Sequence, residues 1–163
     1  MGDFILNRWM NRWIKRLAIG FITLVAVLML VVSPSVADSS DITVYRDPSC
    51  NCCGGWIEHL VEEGFQPTEI STADVETIKQ QHHVPENFTS CHTAIVQGYV
   101  IEGHVPAADI QRLLAERPDV AGIAVPGMPV GTPGMEDGDR RDSFTVFSFD
   151  QVGNTAMFNQ YSF

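Results

Sequence analysis

The chain has 163 residues, with ten Lys and Arg against twenty Asp and Glu, a formal net charge of −10. An acidic balance of this kind does not track phosphates, which argues against nucleic acid as a partner. Past residue 37 the imbalance sharpens to six basic against nineteen acidic residues, and the 126 residues that remain suffice for one domain with a real core.

In chain order, the first element is a leader. Arg8, Arg12, Lys15 and Arg16 precede Leu17–Val32, sixteen residues without a charge. Pro34 follows, and Ser35-Val36-Ala37 places small residues ahead of Asp38. This pattern predicts a cleavable secretory signal peptide over 1–37, with Met10 as an alternative start. The apolar run falls short of the roughly 20 residues that span a bilayer, so no stable membrane insertion is expected after cleavage. An uncleaved membrane anchor is the competing reading. The exported domain is then 38–163.

Ile42–Tyr45 is β-branched and apolar and predicts a buried strand. Cys50-Asn51-Cys52-Cys53 follows, three of the four cysteines in four residues. Trp56–Glu63 has apolar residues at helical spacing and stops at Gly64. The thiols therefore sit on a strand-to-helix turn, where unpaired N–H groups and the helix dipole favour thiolate. Phe65–Ile70 predicts a second strand, parallel to the first through a right-handed crossover. Ser71 or Thr72 is placed to cap a second helix over Ala73–Gln81, with Val75, Ile78 and Lys79 on one side. Thr93–Val96 and Tyr99–Ile101 flank Gln97-Gly98, a two-residue hairpin signal. Pro106 opens a third helix with Ile110, Leu113 and Leu114 as its buried stripe, and Pro118 ends it. Residues 120–139 read as an irregular run, with three prolines and three glycines in Val125–Met135. Phe144–Phe149 and Thr155–Asn159 predict an antiparallel pair around a turn at 150–154.

Strand, helix, strand, helix, hairpin, helix is the layout of an α/β, thioredoxin-like mixed sheet with flanking helices, here with a C-terminal β-hairpin. In that layout the third strand runs against the first. Its start at Cys91-His92 then lies at the same end as Cys50–Cys53, and the exit of the fourth strand at His104 returns there too. The candidate metal ligands are Cys50, Cys52, Cys53, Cys91, His92 and His104, joined by Met128 or Met135, whose thioether is a soft ligand. His59, His82 and His83 read as surface residues.

Other readings of four cysteines stay open. Two structural disulfides have three pairings, though Cys52 and Cys53 do not easily bond to each other. Structural zinc prefers two spaced pairs of cysteines. An iron–sulfur cluster fits the thiol count alone. Cys50 and Cys53 also have the Cys-x-x-Cys spacing of a redox pair, into which Cys52 intrudes.

Four blocks carry a family resemblance. They are Val44–Trp56, Ser90-Cys-His-Thr93, Glu102-Gly-His-Val-Pro106, and Val125-Pro-Gly-Met-Pro129 with Thr132-Pro-Gly-Met-Glu136. Together they resemble the CopG-type copper-resistance proteins, an exported metal-binding family formerly catalogued as a domain of unknown function. The resemblance spans about Ile42 to the C-terminal hairpin. It implies a thioredoxin-like fold, a periplasmic location and thiolate-bound copper on Cys50, Cys52, Cys53 and Cys91. The expected cargo is Cu(I), with thiolates able to bridge more than one ion. Other copper-transport or resistance proteins are the expected partners. Ser90-Cys-His-Thr93 lacks the proline that thioredoxins place before this strand, which argues against disulfide exchange on protein substrates. A thiol–disulfide oxidoreductase or copper-linked redox enzyme using Cys50 and Cys53 is the alternative function.

Overall fold

The computed structural model describes residues 40–50 and 52–163. The expected leader over 1–37 lies outside them. Seven strands form one mixed sheet, ordered β2-β1-β3-β4-β5-β6-β7. They are β1 (Asp41–Arg46), β2 (Gln66–Ser71), β3 (His92–Val96), β4 (Tyr99–Glu102), β5 (Gly122–Ala124), β6 (Phe144–Phe149) and β7 (Thr155–Tyr161). Three helices flank it: α1 (Cys53–Glu62), α2 (Val75–Gln81) and α3 (Ala107–Glu116). The fold is thus mixed α/β with a C-terminal hairpin, as expected. Among the described residues no helix is long and apolar enough to cross a membrane.

The alternation of side chains along the strands divides the core in two. Ile101 of β4 and Ile123 of β5 join the larger cluster, with Trp56 and Leu60 of α1 and Ile110 and Leu113 of α3. Their neighbours Val100 and Ala124 join a smaller cluster on the other face, with Val84, Phe88 and Phe149. The β3–β4 turn is tight because Gln97 and Gly98 both take positive φ, 48° and 87°, which matches the twist of the flanking strands.

Three elements depart from the sequence reading. Helix α1 starts earlier, at Cys53, so the cysteine turn runs directly into it. Helix α2 starts later, at Val75, because Thr72 Oγ1 accepts the Asp74 N–H (3.1 Å) and holds residues 72–74 in a turn. Strand β5 lies within the run that reads as irregular from the sequence. It is three residues long and wholly buried, and it joins the first four strands to the hairpin. Gly122 carries its signal: a Cβ there would collide with the Val100 carbonyl of β4, the close backbone approach that a glycine inside a strand marks.

Candidate metal centre

The cysteine turn is built by Asp47. Its carboxylate accepts the Ser49 backbone N–H (2.7 Å) and the Ser49 hydroxyl, and its carbonyl accepts the Cys50 N–H (3.0 Å). The two bonds from Ser49, its hydroxyl first and then its backbone N–H, hold the Asp47 carboxyl below its ordinary pKa. Arg46, paired with Glu69, donates to the Cys50 carbonyl (3.2 Å). Cys52 then occupies the N-cap of α1 and Cys53 its first turn.

The Sγ atoms of Cys50, Cys52 and Cys53 lie within 4.8 Å of one another. Cys50 and Cys53 are joined by a disulfide, with Cα atoms 5.7 Å apart, while Cys52 and Cys91 are free. The Cys52 sulfur stands 3.6 Å from that of Cys50.

Sheet pairing draws Cys91 to this turn. The antiparallel ladder ends with His92 opposite Arg46, and the Cys91 carbonyl accepts the Asp47 N–H (3.2 Å). Cys50 and Cys91 line one cavity of about 330 Å³, with Lys79 in its wall. Burial raises the Cys91 thiol pKa above its ordinary value, with the neighbouring Cys52 adding to the effect and Lys79 opposing it.

Both candidate histidines are buried in the site. His92 Nδ1 lies 3.4 Å from Cys53 Sγ, and its Nε2 lies 3.0 Å from the Gly103 carbonyl. A neutral ring whose Nε2–H donates to that carbonyl leaves an Nδ1 lone pair aimed at the Cys53 sulfur, the orientation that a metal-ligating imidazole needs. Burial drives the His92 pKa down to about 3, with His104 and then Lys79 adding to it, so the ring is neutral at ordinary pH. His104 stacks edge-on to His92, with ring centroids 5.1 Å apart. Its Nδ1 lies 2.6 Å from the Pro133 carbonyl, and its buried Nε2 has no hydrogen-bond partner. Burial also lowers the His104 pKa, against the pull of the Pro133 carbonyl and Glu136. Trp56 closes the inner side, 4.4 Å from the His92 ring, and donates Nε1–H to the Val105 carbonyl (2.9 Å).

The proline–glycine loop closes on this end. A Cβ on Gly55 would stand 2.9 Å from the Gly134 Cα, so the loop backbone lies directly on the first turn of α1. Thr132 is fully buried beneath it. Met135 is partly buried, whereas Met128 is 51% exposed. Of the histidines read as surface, His83 is exposed and His82 half-buried. His59 is half-buried, and its Nε2 accepts the Ala107 N–H (3.2 Å), one of the unpaired donors at the start of α3.

Sequence reasoning missed Glu102 as a member of this region. It is fully buried, and Lys79, noted only as one side of α2, is its ion-pair partner at 2.5 Å. Burial raises the Glu102 carboxyl pKa, and the Lys79 ammonium pulls it back. The available signal was a lysine on the apolar side of a short amphipathic helix.

The family model described as "Protein of unknown function, DUF411" matches residues 88–135. No curated protein matches. Two solved structures, titled "Copper resistance protein copG- Form 2" and "Form 1", each superpose with a TM-score of 0.72, at 47% and 46% sequence identity. They cover 75% and 76% of this chain and 98% of their own. With that identity over that length, the chain belongs to the family of CopG copper-resistance proteins.

Proposed function

We propose that this chain is an exported copper-binding protein of copper handling and resistance. It holds Cu(I) on Cys50, Cys52, Cys53 and Cys91, with His92, His104 and Met128 as supporting donors. The observation that carries this reading is the meeting of three cysteine sulfurs within 4.8 Å at a helix N-terminus. Thiolates, imidazole and thioether are the donors that a soft monovalent copper ion prefers, and thiolates bridge ions when more than one is bound. The N-terminal end of α1 offsets the negative charge that several thiolates bring together. The similarity to proteins titled as copper-resistance proteins supports the choice of metal. The leader over 1–37 supports a periplasmic location, where other copper-transport or resistance proteins would deliver or receive the ion.

Copper loading needs the Cys50–Cys53 disulfide reduced, because a thiolate and not a disulfide sulfur binds the metal. That disulfide also supports a second reading, a thiol–disulfide oxidoreductase or copper-linked redox enzyme working through Cys50 and Cys53.

The test is an anaerobic Cu(I) titration of the reduced exported protein, following thiolate-to-copper absorption in the near ultraviolet. The expected result is copper binding that survives zinc competition and falls in stoichiometry or affinity on Cys91→Ser, with an unchanged circular dichroism spectrum. Preference for zinc, or unaltered copper binding in Cys91→Ser, refutes the four-thiolate site. The redox reading instead requires that Cys50→Ser or Cys53→Ser abolish disulfide reduction while Cys91→Ser largely spares it.

A further inference from the structure

Behind the thiols lies a buried ion pair with no part in the ligand set. Lys79 comes from α2 and Glu102 from the end of β4, with side chains 3% and 0% exposed. Stripping water from two charges is costly, and an apolar pair of the same volume often folds as well or better. Stability alone therefore gives little reason for this pair.

Its other contacts give one. Lys79 Nζ also donates to the His92 carbonyl (3.3 Å) and to Thr93 Oγ1 (2.7 Å). Glu102 accepts from the Ser90 backbone N–H (2.6 Å), the Ser90 hydroxyl (2.8 Å) and the Thr93 hydroxyl (2.5 Å). These bonds grip the residue before Cys91 and the two after it. The strand ladders do not reach that far. Pairing of β3 with β1 ends at His92, and pairing with β4 ends at Thr93 opposite Glu102. Beyond those points the Cys91 backbone has the Asp47 bond to its carbonyl, and the ion pair holds its neighbours. Lys79, Ser90 and Cys91 share the cavity that Cys50 opens onto.

We infer that Lys79 and Glu102 are positioning residues for Cys91, a charged clamp on Ser90–Thr93 that sets the fourth thiol across the cavity from the cysteine turn. The inference rests on the copper-thiolate reading for its purpose, though not for its geometry. The half-buried residues Ser90 and Cys91, which precede β3 and lie outside its ladders, would otherwise fray, and the cysteine would lose its register with the turn.

The test replaces both charges together, Lys79→Met with Glu102→Leu, in the reduced exported protein, so that neither charge is left alone. The copper probe is Cu(I) in competition with a chromophoric chelator. Loss of outer-shell support typically weakens metal binding about 10–100-fold, and a fall of that size is expected while the thermal midpoint stays near that of the parent. Adding Cys91→Ser should then cause little further loss. Read without copper, amide hydrogen exchange at Ser90 and Cys91 should quicken in the double variant. If that variant does not fold, Ser90→Ala removes one arm of the clamp and leaves the ion pair intact. It should show a smaller change in the same two readouts. Parental affinity together with parental exchange, in either folded variant, overturns the clamp. A parent that binds no Cu(I), with exchange that still quickens in the variant, refutes the copper reading and leaves the clamp standing.

Discussion

Gly134→Ala tests how the proline–glycine loop is seated on the metal centre. Gly134 takes φ +79°, and a Cβ there would stand 2.5 Å from Trp56 N and 2.9 Å from the Gly55 carbonyl carbon. Trp56 N donates to the Cys52 carbonyl, the bond that closes the first turn of α1 on the cysteines. The substitution carries two costs. A left-handed conformation for a residue with a Cβ costs about 1 kcal/mol, and forced contact with packed backbone adds about 1–3 kcal/mol. Reduced freedom of the unfolded chain returns about 0.4–1 kcal/mol. Gly127→Ala is the control. Its φ is +72°, but nothing lies within 4 Å of its added Cβ, so it bears the first cost alone. The expected destabilisation is about 1–3.5 kcal/mol, centred near 2, for Gly134→Ala and under about 1 kcal/mol for Gly127→Ala. At roughly 4 °C per kcal/mol for a domain of this size, their thermal midpoints should differ by about 8 °C. Circular dichroism reads the midpoint. Trp56, the one tryptophan past residue 37, reads the site by fluorescence from beside His92. Displacing the loop also pulls the Pro133 carbonyl from His104, so copper affinity should fall with the Gly134 substitution and hold with Gly127→Ala. Equal midpoints for the two variants would refute the close packing of loop on helix.

Three further outcomes are expected. His92 is held neutral, with its pKa lowered to about 3 from 6.5, so the unfolded chain takes up the proton first as pH falls. Its contribution is complete above about pH 6.5 and is lost toward pH 3, at up to about 1.4 kcal/mol per pH unit; denaturant titrations of the metal-free protein should show this slope flattened in His92→Phe. The Tyr161 phenol is pushed up to about 12, first by burial and then by its bond to Asp109 (2.8 Å), so the neutral form is favoured in the fold. The stability this adds is present below about pH 10 and disappears between 10 and 12, and ultraviolet titration should find one tyrosine ionising late, a signal absent from Tyr161→Phe. Finally, mass spectrometry of the exported protein should find a chain starting at Asp38, and a mass that keeps Leu17–Val32 would favour the anchored form.

The turn signals and apolar periods of this chain sufficed to place β1, α1, the β3–β4 hairpin, α3 and the C-terminal hairpin. Each is a local matter: Ile42–Tyr45 is β-branched, Gln97-Gly98 accepts positive φ, and Ile110 and Leu113 repeat at helical spacing. The gathering of Cys50, Cys91, His92 and His104 at one sheet end was legible too, because strand direction follows from connection length once the order is known. Tertiary structure alone decided the rest. Strand β5 has no period in three residues and exists because β4 and β6 supply its partners. His59 reads as a surface residue from its helix, yet it serves the start of α3 by accepting the Ala107 N–H. Lys79 and Glu102 stand 23 positions apart, and no local pattern announces a pair whose reason is a strand end that only folding brings between them. Local propensity is written in neighbouring residues, whereas a buried charge acquires its partner from the packing of distant elements, and that is where this protein's sequence falls silent.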